Sequence, residues 1–423
     1  MQTEAKQHAM VGTRRGFLRS REFWIGAGLV IVIGLLSYFF EDVKDQFPWL
    51  VGTQLWSYGH LLPEPKPVFV VSVEIDNTTF FDKMHRSGPE DITDRKYLAQ
   101  IVRNAADANA TVIALDINLV RQETNSEATP EDNQALWDAI QYAAARPKPV
   151  PVVLTFAFDA RSMRPLANIF DVPVCHDPAN AKVARAGFDH APEDRRKAPL
   201  VVDARSSDGK EELTCRSFAL QIADAYQTSS GMTETAVSHF DQQIEHREFA
   251  YISFIPQSLF TKLPAYEVHD KTPNDLGALS GKIVLIGGNR TGWPSDDTNP
   301  AAGKLIDYHR SPKSMMAGMY FHANYVEGLL GNRFLRPVSR GLGALIDVVL
   351  ATVIILSIHF LNGWTRFSVV VALIAIPVAM AYGLALLGWC FDWVTPVFLS
   401  FLHPALEKYF DIGSDPLRRH AHE

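Results

Sequence analysis

The chain has 423 residues, 47% of them hydrophobic, with 40 Lys and Arg against 47 Asp and Glu and a formal charge of -7. That length exceeds one compact core, so a large domain with further segments is expected. No basic stripe with interleaved aromatics occurs, which excludes nucleic acid as a partner, and the mean hydropathy of -0.02 hides apolar runs at both ends of a polar centre.

Residues 23 to 40, FWIGAGLVIVIGLLSYFF, are uncharged and almost wholly apolar, close to the ~20 residues that cross a bilayer as a helix. A cleaved signal would have a shorter apolar core and small residues where EDVKDQF stands, so an uncleaved anchor is expected. Arg14, Arg15, Arg19 and Arg21 precede this run and Glu41, Asp42 and Asp45 follow it. The bias places residues 1 to 22 in the cytoplasm and the domain spanning 41 to 340 outside the inner membrane. Two more spans are expected at 342 to 361 and 367 to 389, joined by the turn Asn362 to Arg366. Residues 393 to 410, interrupted by Pro396, His403 and Pro404, read either as a fourth span or as a re-entrant or interfacial segment. With four spans the tail, 411 to 423, returns to the cytoplasm. Arg418 and Arg419 agree with that, while Arg333, Arg336 and Arg340 lie on the wrong side for the rule. Asp347 and His359 fall within the second span, where helix contact is the plainer role. Cys390 lies at a membrane edge, leaving Cys175 and Cys215 in the outer domain. In an oxidising compartment they read as a disulfide, with two unlinked buried thiols as the alternative.

The outer domain opens with the strand KPVFVVSVEI, which stops at Asp76. Residues 96 to 110 repeat Leu98, Ile101, Val102 and Ala105 at helical spacing, and TVIALDINL is a second apolar strand carrying Asp116. This βαβ unit implies neighbouring parallel strands with both aspartates at one carboxyl edge. A helix over 133 to 144, the strand PVPVVLTFAF, a helix over 217 to 227, a strand over 249 to 255, the strand GKIVLIGGN and a helix over 319 to 332 follow. Residues 171 to 212, without period, read as loops and a short hairpin held by the cysteines. The expected fold is an α/β domain with a central, mainly parallel sheet, plus one N-terminal and two or three C-terminal transmembrane helices.

VVSVEIDNTTF, Arg95 ahead of the first helix, VIALDINL, Asp132, SFALQIA, GKIVLIG, the run Asp296-Asp297-Thr298-Asn299-Pro300, and Gly318 to Leu330 with His322-Ala323-Asn324 together resemble the CHASE2 family, extracytoplasmic sensory domains of bacterial membrane receptors. The resemblance covers about residues 45 to 335, and three C-terminal spans are usual for the family. RSGPEDITDR replaces a turn usually rich in Trp and Pro, and residues 301 to 315 look like an insertion. The resemblance implies a sensor. Because the chain ends soon after its last apolar segment, the expected effector is a separate cytoplasmic protein, and a homo-oligomer is the usual form of such receptors.

Asp76, Arg95, Asp116, Asp296, Asp297, His322 and Asn324 are the candidate ligand residues, since open α/β sheets bind solutes beyond the strand carboxyl ends. Carboxylates there suit a cation or the amines and hydroxyls of a solute, with no metal identified. The alternative is that the aspartates cap helices and loops and that His322 packs beneath the sheet. Gly287 to Gly292 lacks the Lys-Ser/Thr of a P-loop and reads as a tight turn. No hydrolase, kinase or metalloprotease motif occurs, so no enzyme and no cofactor is expected. Two other readings stand beside the sensor: an oligomerising subunit of a membrane complex, and an ectoenzyme using the aspartates.

Overall fold

In the computed structural model the described residues are 65–86, 93–119, 129–158, 164–166, 168–170, 172–175, 183–188, 200–205, 212–232, 251–252, 254–290, 308–310, 315–331, 333–360, 363–391 and 393–394, with Gly28. They belong to two compact units, Pro63–Phe334 and a second formed by Met1–Leu62 with Leu335–Glu423. The expected segments 1 to 22 and 411 to 423, and nearly all of 23 to 40 and of 393 to 410, lie outside the described residues.

Besides two 3-10 turns, the first unit runs β1 (Val70–Ile75), a π-helical turn (Thr78–Lys83), α1 (Arg95–Asp107), β2 (Val112–Asp116), α2 (Pro130–Ala144), β3 (Val152–Phe156), β4 (Ala184–Phe188), β5 (Val201–Arg205), β6 (Glu212–Arg216), α3 (Phe218–Ser230), β7 (Tyr251–Ile252), β8 (Thr261–Pro264), α4 (Ala265–Asp270), β9 (Ile283–Gly288), β10 (Tyr308–Arg310), β11 (Met315–Ala317) and α5 (Gly318–Leu330). Six strands make one parallel sheet in the order β4-β3-β2-β9-β1-β8. Successive strand residues face opposite sides. Val71, Val73, Val284 and Ile286 therefore pack with α1, α2 and α4, while Val70, Ile283 and Leu285 pack with α3 and α5. Coverage on both faces is why these strands are continuous apolar runs with no alternation.

The helices begin where side chains satisfy their orphan N–H groups. Asp94 accepts from the Tyr97 amide at 2.9 Å to start α1. Thr129 and Asp132 form a reciprocal box, with Pro130 in the first turn, to start α2. Ser217 accepts from the Leu220 amide at 3.2 Å to start α3, and Gly231, at φ +70, ends it.

Three expectations are corrected, and one strand that no expectation covered is added. First, β1 and β2 are not neighbours: β9 lies between them, and Ile286 pairs with Val73 on one side and Leu115 on the other. A strand with four fully buried residues from Ile283 to Ile286 gains most from a central position, and the α1 crossover reaches over it. Second, β4 joins the sheet edge from a stretch read as loops; a Cβ on its Gly187 would lie 2.5 Å from the Phe218 Cα, so glycine is needed for α3 to start there. Third, β8 extends the other edge beside β1. Its sequence, TKLP, is too polar to announce a strand. Fourth, the strand expected over 249 to 255 is described only at Tyr251–Ile252, outside the six-stranded sheet. The expected hairpin is present as β5 and β6, antiparallel, and Cys215 on β6 is disulfide-bonded to Cys175. Within the stretch that resembled an insertion, β10 pairs antiparallel with β11.

All 13 residues of α5 are buried, among them Glu327, which has no exposed surface. Its Oε1 accepts from the amides of Val68, Phe69 and Val70 at 2.9, 2.6 and 2.8 Å, and its Oε2 from Val68 at 3.0 Å. Arg333 donates from Nη2 to the Lys66 carbonyl at 2.9 Å. The strand that opens the domain and the helix that closes it are thus joined at the amino edge of the sheet.

In the second unit α6 (Arg340–Phe360, 21 residues) is followed by α7 (Gly363–Leu386, 24 residues). Before them β12 (Phe334–Pro337) pairs parallel, through Arg336 and Pro337, with β13 (Trp389–Cys390), which follows α7. Side chains are described for only part of both helices, and among the described residues no helix is long and apolar enough to cross a membrane.

Glu327→Ala leaves the amides of Val68, Phe69 and Val70 without this partner, at about 1 to 3 kcal/mol for the buried one at Val70. A marked fall in the melting temperature of the purified chain is expected, with a smaller fall for Glu327→Gln, which keeps one acceptor oxygen. Replacing Cys175 and Cys215, 40 residues apart in sequence, by serine releases a closed loop worth about 4 kcal/mol in the chain-entropy account. The same destabilisation should appear when wild type is melted in reductant.

Candidate functional site

Of the residues singled out from sequence, Asp76 and Asp116 lie at the carboxyl ends of their strands. Asp76 follows β1. Its Oδ1 accepts from the Thr79 amide at 2.8 Å and its carbonyl from the Phe80 amide at 2.9 Å. It thereby caps the π-helical turn that carries Phe80, a fully buried ring. Asp116 ends β2, in register with Gly287 of β9. Two strand spacings separate it from β1, a lateral distance of about 10 Å. Among the described residues no group of three His, Cys, Asp or Glu side chains is placed to hold a metal ion.

Asp116 meets a different partner. Its Oδ1 is 3.9 Å from Nε2 of His322 on α5, and both side chains are only 7% exposed. The His322 ring also stands edge-on to Phe218 at 5.1 Å between centroids. A Cβ on Gly287 would lie 2.9 Å from the Met319 Cβ and 3.2 Å from the Asp116 Cβ. Glycine at 287 is what lets β2, β9 and α5 approach closely enough for the pair to form. Asn324, two residues beyond His322, is engaged elsewhere: Oδ1 accepts from the Ile255 amide at 2.6 Å, and Nδ2 donates to the carbonyls of Ile255 and Tyr320 at 3.2 and 2.8 Å. It is a bracket for the chain after β7. Asp296 and Asp297 lie outside the described residues.

Arg95, the first residue of α1, is 6% exposed. Its Nη2 donates to the Asn118 carbonyl at 3.2 Å. Burial first, and then the Arg86 guanidinium, hold its pKa down to about 10, against the pull of Asp94. Beside α1 lies a shallow open depression of about 620 Å3 lined by Asp94, Lys96, Tyr97, Gln100, His269 and Asp270. The Tyr97 and His269 rings stack there at 3.9 Å, and burial, with lesser contributions from Asp270 and Asp76, pushes the Tyr97 hydroxyl up to about 12. Asp132 pairs with Lys96 at 2.7 Å, and that hydrogen bond holds its carboxyl below the usual range. It ties α2 to α1 in addition to capping α2.

Three polar residues at this edge were missed from sequence. Glu74, on β1, accepts from the Tyr320 hydroxyl at 2.5 Å and from Asn289 Nδ2 at 2.6 Å; an acid inside VVSVEI was the available signal. Arg290, just past β9, lies over the Phe80 ring at 3.4 Å. Arg86 pairs with Asp94 at 3.4 Å. No spacing rule singled out either arginine.

A family model of the CHASE2 domain matches residues 27–358. The chain belongs to the CHASE2 family. CHASE2 is an extracytoplasmic sensory domain family, and the match covers the whole of the α/β unit described above. No curated protein and no solved structure matches the chain.

Asp76→Ala should cost about 1 kcal/mol and Asp76→Asn almost nothing, as for an N-terminal cap. Thermal melting of the two variants checks this, and equal large losses would contradict the capping role. Gly287→Ala should destabilise by about 1 to 3 kcal/mol through overpacking. It should also displace α5, read as a change in the His322 ring resonances with every polar group of the site still present.

Proposed function

We propose that this protein is a membrane-anchored sensor whose α/β unit faces the extracytoplasmic space, binds a small solute or a periplasmic partner, and passes the signal through membrane helices to a separate cytoplasmic effector. Membership of an extracytoplasmic sensory family carries the reading.

The character of the second unit supports it. Leu345, Val349 and Leu386 are 58%, 51% and 57% exposed along α6 and α7. Large apolar side chains exposed in rows on two consecutive helices suit lipid and not water. The clamp at Glu327 supports relay, because it joins β1, which follows the N-terminal apolar segment in sequence, to α5, which precedes the C-terminal ones. A ligand shifts such a protein only through unequal affinity for two arrangements.

Mild-detergent purification of the full chain from its native membranes should recover a cytoplasmic signalling protein with it. Protease added to intact spheroplasts should cut between residues 63 and 334. Recovery of the chain alone, together with a protected central domain, would overturn the reading.

A further inference from the structure

Among the described residues, Arg95 is a buried charge whose donors are mostly unfilled. A guanidinium presents five N–H donors and no acceptor, and in this protein the group is 94% removed from water by its 6% exposure. One nitrogen is used, Nη2 on the Asn118 carbonyl. Nε and Nη1 are buried without a hydrogen-bond partner among the described residues. The carboxylate that acts on it, Asp94, is committed: Oδ1 accepts from the Tyr97 amide and Oδ2 faces Arg86 at 3.4 Å. Arg86 adds a second positive charge to the neighbourhood. A buried cation with open donors and a like charge beside it is stable only if something else neutralises it. The carbonyl of Asn118 helps hold the guanidinium at the end of β2, on the sheet edge where open α/β folds take their ligands.

We infer that Arg95 is the anchor of an oxyanion site, and that the ligand sensed by this domain carries a carboxylate or phosphate group. Planar, forked donors recognise those groups in pairs of hydrogen bonds, and the pairing is strongest where water is excluded. The anion would complete the charge balance that the protein leaves open, which is how its arrival can alter the stability of the domain. The neutral and cationic solutes suggested by the aspartates are disfavoured, because Asp76 is occupied as a cap and Asp116 faces His322. The inference rests on the sensor reading for its biological use, not for its chemistry.

The test uses the full chain in detergent, melted while phosphate, sulfate or acetate replaces chloride at constant ionic strength. A saturable rise in melting temperature with one of these anions is expected in wild type and in Lys262→Gln, an exposed control on β8. Arg95→Gln should bind at least about tenfold more weakly, the loss of one charge-assisted contact, and Arg95→Lys should fall between. Should Arg95→Gln not fold, hydrogen exchange of wild type with and without the anion replaces it, with slowing expected in peptides covering residues 94 to 104 and 116 to 119. Absence of a saturable response in wild type, an equal response in Arg95→Gln, or protection confined to other regions would overturn the site. The two proposals fail separately. A missing effector or an inward-facing domain leaves this titration unchanged, and a flat titration leaves the co-purification result unchanged.

Discussion

A single buried carboxylate holds the two ends of the sensory domain together. Glu327 receives the amides of three consecutive residues, Val68 to Val70, at the point where the chain enters β1. No helix or sheet ladder offers those amides this partner, and a carboxylate accepts hydrogen bonds more strongly than a neutral group. Because Glu327 sits on a helix that is buried along its length, the attachment is rigid. Lys282, donating from Nζ to the Val68 carbonyl at 2.7 Å, and Arg333, donating to Lys66, fasten the same strand entry from two other elements. Everything carboxyl-terminal to β1 is built on a strand whose start has been immobilised in this way.

At the opposite edge the polar residues divide into those that the fold consumes and those that it leaves available. Asp76, Asp94, Asp132 and Ser217 end as caps, and Asn324 and Glu74 as internal brackets. These groups stabilise loops and helix starts, and no ligand is needed to account for them. The Asp116 and His322 pair is also internal, held by the narrow passage at Gly287. Arg95 is different because a cation leaving water requires compensation larger than one carbonyl supplies. The asymmetry between satisfied acids and an incompletely satisfied base gives the edge its chemical preference.

The second unit follows other rules. Helices α6 and α7 carry exposed leucine and valine, an arrangement that suits the proposed membrane placement and would be a liability on a domain in water. In the α/β unit the large apolar side chains lie instead in two cores on either side of one sheet.

Hydrophobic pattern alone determined much of this protein. The runs VVSVEI, TVIALD, PVVLTF and KIVLIG announced four central strands because a strand buried on both faces must be apolar throughout, and the spacing of Leu98, Ile101, Val102 and Ala105 announced α1. Only the tertiary structure decided strand order. Nothing local distinguishes a crossover to the adjacent position from one that leaves a gap for β9, since the choice is made by which strand gains most from a centre that residues 283 to 288 reach late in the chain. The edge strands β4 and β8 were hidden for the same reason: an edge strand is defined by its neighbour's open hydrogen bonds, not by its own composition. Among site residues the sequence supplied identities without roles. Whether an aspartate caps a turn, as at Asp76, or an acid grips a distant strand, as at Glu327, depends on which amides are brought within about 3 Å, and that distance exists only after the sheet has closed.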